Sequence, residues 1–68
     1  NIFNMPKEIK SKEELIKLLP IALECRVKQS KDYVKIKLRT KHVLFTYKAK
    51  PEEVNEILSQ VKCPIINL

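Results

Sequence analysis

The tightest constraint in this chain is a period of two. In "DYVKIKLRTKHVLFTY", residues 32–47, Val34, Ile36 and Leu38 alternate with Tyr33, Lys35, Lys37 and Arg39. Successive side chains of an extended strand point to opposite faces, so the spacing predicts a strand over residues 33–39. One face of it is aliphatic and the other cationic, with like charges about 6.7 Å apart along the strand. A chain of 68 residues has room for one domain, taken as residues 1–68. A domain this small buries only about 60% of the surface its unfolded chain exposes. Residues 1–4 precede Met5 and Pro6 and are expected to be an N-terminal extension.

The flanking segments predict what covers the aliphatic face. "SKEELIKLL" opens with a capping box, Ser11 answered by Glu14, and carries a helical stripe of Leu15, Leu18 and Leu19. Pro20 disfavours helical backbone at Leu19, so this helix is expected to stop there. "ECRVKQ" sets Cys25 and Val27 against Arg26 and Lys28, a second short strand. "SKD" at 30–32 and "TKH" at 40–42 are turns, and "VLFTYKA" at 43–49 is a third strand rich in β-branched and aromatic residues. In "PEEVNEILSQVK", Val54, Ile57, Leu58 and Val61 fall at i, i+3, i+4 and i+7, behind Pro51 at a helix start. Pro64 blocks further helix, and "IINL" suits a short closing strand. The expected fold class is α+β: a small antiparallel three- or four-stranded sheet with two helices packed on one face, in the order α-β-β-β-α-β. The helices then cover Val34, Ile36 and Leu38, and the cations are left on the open face.

Charge is segregated along the chain. Residues 26–50 hold nine cations and one acid, net +8, whereas the remaining residues hold five cations and seven acids, net −2. Segregated positive charge marks a surface for phosphates or acidic membranes. There is no glycine, which excludes glycine-rich phosphate loops and dinucleotide fingerprints. No apolar run approaches the ~20 residues that span a bilayer. Cys25 and Cys63 make no metal quartet and are read as small buried hydrophobes in a reducing compartment, a disulfide being their only joint alternative.

The candidate binding residues are Arg26, Lys28, Lys31, Tyr33, Lys35, Lys37, Arg39, Lys41 and His42. A solvated strand face is the plain alternative for the cationic row. Phosphate binding is favoured because like charges across strands destabilise a sheet unless a partner neutralises them. Tyr33 shares the parity of the row and could stack on a base; His42 reads equally as an RNA contact and as an exposed turn residue. Glu52, Glu53 and Glu56 are explained by a helix start and a solvated helix face, so no metal and no cofactor is expected. No nucleophile accompanies His42 with an orienting carboxylate, and neither catalysis nor a small-molecule substrate is expected.

The succession Lys31-Asp32, "VKIKLR" at 34–39 and "LFT" at 44–46, with "MPKEI" at 5–9 and a Lys/Glu-rich second helix before a proline, resembles the large-subunit ribosomal protein family numbered thirty-eight in the archaeal and eukaryotic set. The resemblance runs over residues 5–68. Pro20, residues 1–4 and the pair Tyr47 and Lys48 depart from the family pattern. It implies a cytoplasmic, non-enzymatic structural constituent of the large ribosomal subunit, bound to ribosomal RNA beside neighbouring ribosomal proteins and away from membranes. Carried onto matching basic positions, it implies RNA contacts at Lys28, Lys31, Lys35, Lys37 and Arg39. Two other readings stand beside it: a free nucleic-acid-binding module, and a protein-interaction adaptor acting through the "EEVNEIL" helix.

Overall fold

A computed structural model describes residues 6–68; the extension expected at residues 1–4 lies outside the described residues. The elements run β1 (Pro6–Glu8), α1 (Lys12–Leu18), a 3-10 turn (Leu19–Ile21), β2 (Glu24–Gln29), β3 (Val34–Arg39) and β4 (Leu44–Ala49). A second 3-10 turn (Pro51–Glu53), α2 (Val54–Ser59) and β5 (Ile65–Asn67) complete the chain. The α+β class and the antiparallel meander of β2, β3 and β4 are as expected.

The sheet itself is larger than expected and mixed. Its order is β1-β4-β3-β2-β5, and both outer strands run parallel to their neighbours. β5 is the expected closing strand, whereas β1 has no alternation to announce it. It exists because Pro6, Lys7 and Glu8 lie against Leu44, Phe45 and Thr46, a pairing made only in the folded state. The Ile9 N–H extends that ladder by donating to the Thr46 carbonyl at 2.8 Å, and the Ile9 side chain enters the core.

Both helices are shorter than their apolar stripes. Ser11 caps α1 by accepting the Glu14 N–H at 3.2 Å, one half of the expected capping box. The α-helix proper ends at Leu18, but Leu19 keeps helical backbone despite the proline after it, and its N–H still donates to the Leu15 and Ile16 carbonyls; Pro20 is absorbed into the following 3-10 turn. The expected helix over 51–62 begins as a 3-10 turn, is α-helical only from Val54 to Ser59, and unwinds through 3-10-type bonds, Gln60 N–H to Ile57 and Val61 N–H to Leu58. Unwinding there lets Pro64 reach β2, where its carbonyl accepts the Cys25 N–H at 2.9 Å.

One core lies between the helices and the sheet. Leu15 and Leu19 from the first helical segment and Ile57 from α2 meet Cys25, Val27, Val34, Ile36, Leu38, Tyr47 and Ala49 from the meander. Val54, Leu58 and Val61 pack against the same cluster, so the stripe of the "EEVNEIL" segment is engaged inside the domain. A Lys12–Glu56 ion pair ties α1 to α2 across the outer surface and accounts for Glu56. No helix among the described residues is long and apolar enough to cross a membrane.

Candidate nucleic-acid interface

Register decides which side chains share the sheet face that the helices leave open. Arg26 lies opposite Lys37, which lies opposite Thr46; Lys28 lies opposite Lys35, which lies opposite Lys48; Glu24 lies opposite Arg39, which lies opposite Leu44. Directly opposed residues point to the same side of a sheet, so six cations occupy this face: Arg26, Lys28, Lys35, Lys37, Arg39 and Lys48. Strands about 4.8 Å apart and a repeat of about 6.7 Å along each strand arrange them as a grid.

The grid is uneven in charge. Glu24 belongs to the face, and its Oε2 accepts from Arg26 Nε at 2.8 Å, so Arg26 is already partly neutralised. The open face is therefore not free of acids. Glu8 stands opposite Thr46 and adds a second carboxylate near the β1 edge. The transverse row of Lys28, Lys35 and Lys48 contains no carboxylate. Three ammonium groups on adjacent strands repel one another, by some tenths of a kcal/mol per facing pair.

The other candidates lie at the two ends of the sheet. Lys31 and Asp32 tip the β2–β3 hairpin, which Ser30 closes by donating its N–H to the Tyr33 carbonyl at 2.9 Å. Lys41 and His42 tip the β3–β4 hairpin at the opposite end. There the buried Thr40 pins the turn: its hydroxyl donates to the Val43 carbonyl at 2.8 Å and accepts the Val43 N–H at 3.0 Å. Lys41 and His42 border an apolar cavity of about 270 Å³ walled by Ile21, Val43 and Phe45. The nine sequence candidates therefore divide into five on the open face, Lys31 and Tyr33 at one end, and Lys41 and His42 at the other.

Lys48 is the residue that the candidate set lacked. Its Nζ sits 5.2 Å from the centroid of the Tyr33 ring, a cation–π contact that places Tyr33 beside the lysine row and occupies one face of its ring. The signal was present in the parity of β4. Once Phe45, Tyr47 and Ala49 point to the core, Thr46 and Lys48 must point away.

The cysteines fare differently from each other. Cys25 is fully buried, and burial, assisted by the nearby Cys63 thiol, pushes its pKa up from 9.0 to about 11. Cys63 is only half-buried, which corrects the expectation of two equivalent core residues, and both are free thiols.

No protein-family model matches the chain. The large ribosomal subunit protein eL38 of Aeropyrum pernix is 53% identical over 64 residues, which cover 94% of this chain and 96% of that protein.

Proposed function

The chain belongs to the eL38 family of large ribosomal subunit proteins, and from that premise we propose that it is a structural constituent of the large subunit in the cytoplasmic ribosome, binding ribosomal RNA through its open sheet face. The observation that carries the RNA assignment is the acid-free row of Lys28, Lys35 and Lys48, extended by Lys37 and Arg39 on the same plane. Isolated, those ammonium groups repel; against a phosphate backbone each one releases condensed counterions and gains affinity. A flat lattice of charge, with few rings, suits the backbone and 2′-hydroxyls of a structured RNA. Single-strand recognition by serial base stacking needs more aromatics than Tyr33 supplies. Lys31 and Lys41 extend the contact beyond the two ends of the sheet, and His42 adds a hydrogen-bonding ring at one of them.

The test is a titration with deproteinised large-subunit RNA over a range of salt concentrations. The triple variant Lys28→Gln, Lys35→Gln, Lys48→Gln is expected to reduce the slope of log K against log salt by about 0.7–0.9 for each phosphate that is no longer neutralised. An unchanged slope refutes the proposal.

A further inference from the structure

A second cavity, about 290 Å³, opens between α2, the ends of β2 and β3, and β5. Its floor and walls are Val27, Val34, Pro51, Val54 and Leu58, and three amide side chains stand around it: Gln29, Asn55 and Asn67. Leu68 completes the lining, and no Asp or Glu side chain belongs to it. Among the described residues, none of the three amides takes part in a side-chain hydrogen bond. The amides are exposed, so their donors and acceptors are free to turn towards an occupant.

The cavity lies next to the basic row. Gln29 and Val34 form the last rung of the β2–β3 ladder, and the next rung inward is Lys28 against Lys35, with Lys48 beyond. The acid-free lysine row and the cavity thus lie one residue apart at the same end of the sheet, the cavity on the helix side and the lysines on the open side. An RNA strand on the lysine row that rounds this end of the sheet would meet the mouth of the cavity, because the rung that lines it is next to the lysine rung. An unstacked nucleobase needs apolar surface against its faces and a few adaptable donors and acceptors at its edge. Amide side chains offer both donor and acceptor and are suited to base edges. We propose that this cavity receives one unpaired base of the ribosomal RNA held on the basic face, with Gln29, Asn55 and Asn67 bonding its edge. This inference rests on the RNA-binding reading above.

The two are separable by experiment. The double variant Asn55→Ala, Asn67→Ala changes only exposed side chains, and its melting curve checks that folding is intact. With deproteinised large-subunit RNA, it is expected to bind about tenfold more weakly at every salt concentration, with the slope unchanged. Chemical probing of unpaired bases is expected to show one nucleotide protected by the natural chain and reactive with the variant. Unchanged affinity and protection, alongside a reduced slope for the triple lysine variant, overturn the base pocket and leave the RNA face standing. An unchanged slope for the lysine variant overturns both. Should the amide variant bind RNA normally yet be missing from reconstituted large subunits, the cavity holds a protein neighbour and the proposal fails.

Discussion

The Tyr47 hydroxyl donates to Glu53 Oε1 at 3.0 Å, while Glu53 Oε2 accepts the Lys50 N–H at 2.8 Å. One carboxylate therefore clamps the end of β4 to the turn that starts α2. Tyr47 is one of the positions at which the sequence departs from the family pattern. The clamp explains it: the ring fills the core and the hydroxyl reaches a charged acceptor at the rim. Tyr47→Phe keeps the packing and deletes the bond, and is expected to destabilise the fold by about 1–2 kcal/mol in denaturant titrations at neutral pH.

Alkaline pH should weaken the protein through two groups. Burial, and then the bond and charge of Glu53, raise the Tyr47 pKa above 10.0; burial raises Cys25 from 9.0 to about 11. In both, folding favours the protonated form, so the stabilisation is fully present below the unfolded pKa and is lost as pH rises towards the folded value. The urea midpoint is expected to hold steady up to about pH 8.5 and then decline. Cys25→Ala should remove the part of the decline between pH 9 and 11, and Tyr47→Phe the part that begins near pH 10. A midpoint unchanged to pH 11 contradicts the assignment.

The thiols should react in sequence. Cys63 is partly exposed and Cys25 is buried with a raised pKa, and the thiolate is the reactive form. At pH 8, one equivalent of a thiol reagent is expected to be consumed quickly, with mass mapping to Cys63. The second should follow only at the rate of unfolding. Equal rates at both positions would contradict the burial of Cys25.

Lys35 is flanked by a like charge on either side, so its removal should have opposite effects on folding and on binding. Lys35→Thr relieves two repulsive pairs and installs a β-branched residue on the central strand. The free protein is expected to gain a few tenths of a kcal/mol, measured by thermal melting, while its affinity for ribosomal RNA falls. Loss of stability and affinity together would mean that Lys35 acts through packing.

Ile36 is fully enclosed at the centre of the middle strand. Ile36→Ala should remove about 2–5 kcal/mol. A domain of this length has a total stability of only about 3–10 kcal/mol. The variant is expected to show a large unfolded fraction by circular dichroism at 37 °C, where Ile66→Ala, on an exposed edge strand, should melt close to the natural chain.

What the sequence disclosed depended on how local the controlling interactions were. β3 was plain because Val34, Ile36 and Leu38 differ so sharply from Lys35, Lys37 and Arg39, and each residue reports its own face. β1 was hidden because its partners, Leu44, Phe45 and Thr46, are far along the chain and Pro6, Lys7 and Glu8 show no alternation. The end of α2 was obscured because Val61 continues the helical stripe, although the chain had to leave the helix to bring Ile65 beside Cys25. Five candidate cations could be assigned to one face by parity alone. Glu24 and Lys48 obey the same parity, and the paired register adds which residues stand directly opposite one another. Gln29, Asn55 and Asn67 come from three separate elements, and no sequence pattern joins them.

Both hairpins turn without a single positive φ among the described residues. Mirror-image turns restrict their tips to glycine, asparagine or aspartate; these tips exact no such chemical qualification. Lys31, Asp32, Lys41 and His42 are therefore interchangeable as far as the backbone is concerned. The molecule can retune its electrical outline at two protruding corners, to suit a differently shaped nucleic acid, without renegotiating the scaffold beneath.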